Sequence, residues 1–296
     1  MKTPAALLFV ASILVASLQA GVDGPKVEQI TGLKGTLNEA EKVFKVSSPR
    51  TDVKVSVDGW EMPPFMGLTS WAAFTDGKAS EAMVMGDVVL LQDEVNPAMS
   101  AALDAGLEVT ALHNHFFFDE PKVFFMHIGG EGDTAKLATG VKAVLDAQKA
   151  VRSNAPQPAK SFGKPVANMS NITLAPLETA LGGKGQAKDG MVKFVIGRSA
   201  KMPCGCTVGK EMGVNTWAAF AGTDDDAVVD GDFCVLPTEL QGVLKTLRKS
   251  GINIVAIHQH MAMDDPHYIF LHYWGRGPAL TLGQGVKAAL ATTASK

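Results

Sequence analysis

His113-Asn114-His115-Phe116-Phe117-Phe118-Asp119-Glu120-Pro121-Lys122-Val123-Phe124-Phe125-Met126-His127 is echoed later in the chain by His258-Gln259-His260-Met261-Ala262-Met263-Asp264-Asp265-Pro266-His267-Tyr268-Ile269-Phe270-Leu271-His272. Both stretches read His-x-His, then an acidic turn with a proline, then a third histidine twelve residues after the second. All 7 histidines lie in these two windows, and only His267 falls outside the shared pattern. Ala111-Leu112 and Ala256-Ile257 read as strand, and Val123–Met126 and Tyr268–Leu271 as the returning strand. The Asp-Glu-Pro and Asp-Asp-Pro between them are turn chemistry. Residues two apart on a strand share a face. A hairpin folded about Glu120 therefore sets His115 opposite Phe125 and His113 opposite His127, with opposed Cβ atoms about 4.5–5.5 Å apart. Folding about Asp265 gathers His258, His260 and His272 in the same way. Three neutral imidazoles on one face are a divalent-metal site of the catalytic type, with a coordination position left for water or substrate. The competing reading is a set of partly buried histidines bonded to backbone. A slip of one residue would scatter the cluster.

The echo extends well beyond the histidines. Gly86–Leu145 aligns with Gly231–Leu290 without a gap, pairing Gly86-Asp87 with Gly231-Asp232, Glu94 with Glu239, and Gly140–Ala143 with Gly285–Ala288. Upstream, Met66–Phe74 matches Met212–Phe220 after one inserted residue. The chain is thus a tandem duplication. Its repeats cover residues 27–150 and 175–292, and a linker rich in Pro, Ala, Ser and Asn spans 151–174.

Each repeat reads roughly as ββαββα, preceded in the first by a short helix and strand over 27–46. The fold class expected is α+β, with mostly antiparallel sheets packed about a pseudo-twofold. Val53–Val57 alternates like a half-buried strand, and Ala82–Leu91 is a strand broken at Gly86-Asp87. Asp93 and Thr238 are the expected helix caps before Glu94 and Glu239. Asp133 caps a last helix running to about Ala150, and its counterpart runs from about Leu280 to Ala291.

At 296 residues, 46% hydrophobic and 19% charged, the composition is that of an ordinary globular protein. The net charge of −3, without a basic block, argues against nucleic acid as a partner. Lys2, the apolar run Ala5–Leu18 and Gln19-Ala20-Gly21 make residues 1–20 a secretory signal peptide. No later apolar run is long enough for a membrane span. The expectation is a periplasmic or extracellular protein. Of the 3 cysteines, Cys204 and Cys206 stand too close for a comfortable disulfide with each other, which leaves a bridge to Cys234 or metal ligation as alternatives.

Other residues could carry chemistry. Glu94 and Glu239 are candidate general bases or ligands, against a plain role at helix starts. Asp87 and Asp232 follow a glycine and are candidate catalytic acids, against turn formation. Asp119 and Asp264 form turns, and could also orient a metal-bound imidazole. Trp71 and Trp217 read as core. Trp274 and Arg276 stand where the first repeat has Gly129 and Glu131, so the second repeat carries the more elaborated substrate side. Met261 and Met263 beside His260 would suit copper, or simply fill core.

The run Trp-Ala-Ala-Phe, Gly-Asp, a helix opened by Glu, His-x-His, Pro and a final His before Trp274-Gly275-Arg276-Gly277-Pro278 resembles the LppY/LpqO family of bacterial exported proteins. The resemblance spans residues 27–292. It implies export and a duplicated domain of unknown function, and supplies no established reaction. Some members are lipoproteins, whereas this sequence lacks a cysteine after its apolar run. The combined expectation is an exported metal-dependent enzyme of hydrolase or lyase type. It would hold a divalent transition metal, zinc first and copper as the alternative, and act on a small or cell-envelope-derived molecule. The competing readings are a zinc or copper carrier or sensor, and a ligand-binding envelope protein with structural histidines.

Overall fold

The structure is a computed structural model and describes residues 22–293. The expected signal peptide lies outside the described residues. The first repeat contributes helix α1 (Gly24–Thr31), strands β1 (Gly35–Asn38), β2 (Val43–Pro49), β3 (Thr69–Asp76) and β4 (Ala82–Leu91), helix α2 (Val95–Asp104), strands β5 (Glu108–His113) and β6 (Val123–Gly132), and helix α3 (Thr134–Asn154). The second contributes α4 (Leu174–Leu181), β7 (Gln186–Lys188), β8 (Met191–Gly197), β9 (Asn215–Gly222), β10 (Ala227–Val235), α5 (Pro237–Lys249), β11 (Asn253–His258), β12 (Ile269–Gly277) and α6 (Ala279–Leu290). The fold is α+β with antiparallel pairing, as the alternating patterns require. Among the described residues no helix is long and apolar enough to cross a membrane.

The two sheets join edge to edge. They form one 12-stranded sheet in the order β1-β2-β3-β4-β6-β5-β11-β12-β10-β9-β8-β7. The order is a palindrome in the repeats, so the pseudo-twofold passes between β5 and β11, where Leu112 pairs with Ile257. All six helices share one face. There a single core runs under both halves, from Val84, Leu90 and Met126 to Val229, Phe233 and Leu271. The seam is also stitched by matched amides. Asn96 on α2 donates to the Ile254 carbonyl (3.1 Å) and accepts its N–H (2.8 Å). Gln241, the aligned residue on α5, does the same for Val109 at 2.9 and 3.0 Å. Val109 and Ile254 each sit beside a β-bulge, where the ladder leaves a backbone pair open.

The opposite face is open and carries one small satellite core per repeat. In the first repeat Val55, Met62 and Leu68 fold down onto Val89, Leu91, Val123 and Phe125. In the second, Ala200, Val208 and Val214 cover Cys234, Tyr268 and Phe270. Val53–Val57 is therefore mostly an irregular packed arm. Only Ser56-Val57 is strand, paired with Trp60-Glu61 and Asp119-Glu120.

The strand Ala82–Leu91 runs unbroken through Gly86-Asp87, paired on both sides. The glycine serves close approach instead of a kink. A Cβ at Gly86 would lie 2.8 Å from the Trp71 carbonyl, and one at Gly231 would lie 2.2 Å from the Tyr273 ring. Asp93 and Thr238 are not the caps. The residues preceding the first turns of α2 and α5 are Glu94 and Leu236, and the Glu94 and Glu239 carboxylates reach back to the Leu91 and Leu236 amides, both at 2.8 Å. Asp133 does cap α3, accepting from the Lys136 amide at 2.8 Å. That helix overshoots its expected end because Arg152 is buried against Asp93 and Glu94. Cys204 and Cys206 do form a disulfide, contrary to the spacing argument. The turn that joins Met202 to Cys206 (N–H to carbonyl, 2.9 Å) sets their Cα atoms 5.5 Å apart, within ordinary disulfide reach. Cys234 is free and buried.

Candidate metal centre

The histidine hairpins form, with their registers moved by two residues. His113 pairs with Phe125 and His127 with Ala111, while His258 pairs with Phe270 and His272 with Ala256. The turns center on Asp119 and Asp264 instead of Glu120 and Asp265. Each of those carboxylates closes its own turn, accepting from the Val123 and Tyr268 amides at 2.7 Å. A shift of two keeps every side chain on its expected face, whereas a shift of one would have inverted it. Asp119 and Asp264 are thus turn residues and do not orient the repeated imidazoles. Asp264 instead bonds His267, at 2.9 Å.

Both histidine sets stand on the open face. His113 and His127, and His258 and His272, are neighbours across a strand pair. His115 and His260 lie just past the strand ends and stack on Phe125 and Phe270, with ring centroids 3.9 and 3.5 Å apart. The aspartates complete each set, because Asp87 is directly opposite His127 and Asp232 directly opposite His272. Trp71 and Trp217 continue the same rows. They are half-buried on this open face beneath Lys45 and Lys193, each 4.3 Å from its ring, and so are not core.

The convergence is tightest in the second repeat. Asp232, His258 and His272 each offer a ligand atom, and those atoms lie within 4.8 Å of one another. Asp232 replaces His260 in the set expected from spacing. His260 stands behind it, its Nε2 3.3 Å from Asp232 Oδ2 and its Nδ1 3.3 Å from the Gly213 carbonyl. Asp232 Oδ1 and His258 Nδ1 are buried without a hydrogen-bond partner. Burial pushes the Asp232 carboxyl up to about 6 against the pull of His272. Burial, helped by the neighbouring imidazoles, brings His258 down to about 4. Two imidazoles and a carboxylate with two unanswered buried atoms fit a divalent cation with open positions.

In the first repeat, His113 and His127 instead meet each other, Nε2 to Nε2 at 3.2 Å. Asp87 Oδ1 is buried and unpartnered there too, and burial raises that carboxyl. Among the described residues, this group does not close to the same radius. The two sites share one surface. Continuing the Leu112–Ile257 register by one residue sets His113 beside Ala256 and His258 beside Ala111, so His113 and His258 are diagonal neighbours across the seam.

Glu94 and Glu239 are not at the site. Glu94 is fully buried between Arg50 (Nη1, 2.8 Å) and Arg152 (Nε, 2.7 Å). Glu239 is held by Arg198, whose Nη2 donates at 2.8 Å. Both carboxylates are spent on structure, where an unpaired charge would be costly. Arg50 and Arg198 escaped the sequence reading because the repeats align with a different offset around them. Trp274 and Arg276 lie on the same side of β12 as His272, and Arg276 forms a two-point pair with Asp226 at 3.1 and 2.9 Å.

The chain belongs to the family described as Domain of Unknown Function (DUF1259), whose model matches it twice, over residues 25–147 and 175–292. The chain is also similar to the solved structure of a trimeric bacterial microcompartment shell protein, PduB, at 13% identity and a TM-score of 0.19, over 87% of this chain and 89% of that one. That score carries no argument. No curated protein sequence matches.

Proposed function

We propose that this member of the DUF1259 family is a metal-dependent enzyme with its working centre in the second repeat, and that it is exported, as the LppY/LpqO resemblance implies. Asp232, His258 and His272 would hold the metal, and His260 would position the second oxygen of Asp232. The carrying observation is the convergence of those three side chains, whose ligand atoms lie within 4.8 Å of one another. A divalent ion there would polarise a carbonyl or lower the pKa of a bound water, which suits hydrolysis or lyase chemistry. The chain's own contribution is to keep His258 neutral, to give up the Asp232 proton on loading, and to fix both imidazoles by strand pairing. Zinc suits a nitrogen and oxygen ligand set best.

The copper-carrier reading loses its sulfur ligands. Cys204 and Cys206 are bonded to each other, Met261 packs into the satellite core, and Met263 is 71% exposed. A purely structural role for the histidines is disfavoured by the unpartnered Asp232 and His258 atoms, because buried polar atoms normally find partners.

The test is metal content by mass spectrometry of untagged protein purified without chelator. One equivalent of zinc is expected in the wild type and in His113→Ala, and none in His258→Ala or Asp232→Asn at neutral pH. Wild-type protein that holds no metal after zinc reconstitution, or a His258→Ala variant that holds as much as wild type, would overturn the reading.

A further inference from the structure

The linker does more than join the repeats. Residues 161–168 cross the open face of the second repeat and border a cleft of about 800 Å³ against Val228, Asp230, Val255, His272, Trp274 and Arg276. The volume is that of a small-molecule site. His272 belongs both to this cleft and to the metal triad, so the cleft adjoins the triad through that side chain. Trp274 is the next residue on the same face of β12, and with Phe162 of the linker it gives the cleft two large aromatic side chains among mostly apolar walls. Arg276 has Nε and Nη2 tied to Asp226. Its Nη1 faces the linker backbone so closely that a Cβ on Gly163 would lie 3.4 Å away. The pair with Asp226 neutralises the Arg276 charge. The first repeat presents Gly129 and Glu131 at the positions of Trp274 and Arg276, and there linker residues 156–160 lie instead against Asp52–Lys54, Leu91 and Glu120–Lys122.

We propose that this cleft is the organic-ligand site of the metal centre, and that it takes a planar, mostly apolar carboxylate. The ring stacks on Trp274 between the linker and β12, and the carboxylate is the head presented to the metal beside His272. Away from His272, Arg276 is already paired with Asp226, and the other charged lining residues, Lys164 and Asp230, are of opposite sign. The inference rests on the metal reading above, and its test separates the two.

The probe is 2-naphthoate, with neutral 2-naphthamide as control, titrated calorimetrically into zinc-loaded full-length protein whose zinc content is measured in parallel. Saturable naphthoate binding is expected, weakened about tenfold in Trp274→Ala by loss of the stacking partner. Val255→Trp, which fills the cleft from an exposed position, should weaken it similarly. Both variants should keep their zinc. Zinc removal should weaken naphthoate and leave naphthamide unchanged. Zinc retained with no naphthoate binding, or binding indifferent to Trp274 and Val255, overturns the proposal while the metal reading stands. Binding that needs Trp274 but ignores zinc overturns the link between cleft and metal. Failure to load zinc sinks both.

Discussion

The two repeats carry the same histidines, the same aspartate and the same strand register, yet their sites differ. In the second repeat His258 and His272 stack with centroids 4.6 Å apart and a 16° angle, and Asp232 is 2% exposed. In the first, His113 and His127 are 5.3 Å apart at 28°, and Asp87 is half-buried. The residues beneath explain part of this. Tyr273 and Phe233 lie under the second site with ring centroids 5.4 Å apart, and Tyr273 is anchored to the Trp217 carbonyl at 2.9 Å. Ile128 and Val88 take their places in the first repeat. A rigid aromatic floor can hold the rows above it in one arrangement, while aliphatic side chains leave more slack. Ligand identity is therefore not enough to make a site. The support beneath the ligands decides how far they converge.

The comparison can be broken most forcefully at the buried glutamates. Removing one partner of a buried ion pair costs about 3–5 kcal/mol. Glu94→Gln should cost more, because it removes contacts to two arginines (which keep Asp52 and Asp93), and Glu239→Gln less, because it removes contacts to one. Urea unfolding measures both, and equal losses would mean that Arg152 adds nothing to the first repeat.

Next in size is the metal contrast. Altering a group that only orients a ligand costs roughly 10–100-fold in affinity. His258→Ala should exceed that range for zinc, while His113→Ala should stay below tenfold. Competition against a chromogenic chelator reads the difference, and similar losses would make the two sites equivalent.

The seam is tested by its amides. Asn96→Ala leaves the Ile254 amide and carbonyl buried without partners, a loss of about 1–3 kcal/mol. Gln241→Ala should cost less, since the Gln241 side chain is only half-buried and its removal lets water approach Val109. Hydrogen exchange at the two amides would rise in the variant that frees each one, and no change in either would remove the clamps from the account of the seam.

The smallest effect expected is on pH. The folded Asp232 carboxyl is raised to about 6, so its contribution to metal-free stability is complete below its ordinary value and is lost as pH rises through 6. His258 is lowered to about 4, so its contribution is present above its ordinary value and is lost as pH falls through 4. Zinc needs the carboxylate and the neutral imidazole. The rise in Tm on adding zinc should therefore appear as pH climbs through about 6 and be absent near pH 4. A pH-independent rise would place zinc elsewhere.

Periodicity and internal repetition made much of this protein legible from its residues. Strand-like runs at Ala82–Leu91 and Ala256-Ile257, turn residues at Asp119–Pro121 and Asp264–Pro266, and the echo of one half in the other were enough for an antiparallel α+β duplication with its histidines on one face. Strand parity has period two, so even a register misplaced by two residues preserved that face. What sequence could not carry was distance between segments far apart in the chain. The pairing of Asp232 with His272, the arginines that claim Glu94 and Glu239, the exchange of amides between α2 and β11, and the linker laid beside Trp274 all depend on which strand edges meet and how the chain returns. A residue's type sets what it can bind. Only the packed sheet decides which partner is within reach, because local preferences are silent about contacts whose entropy cost is met by the fold as a whole.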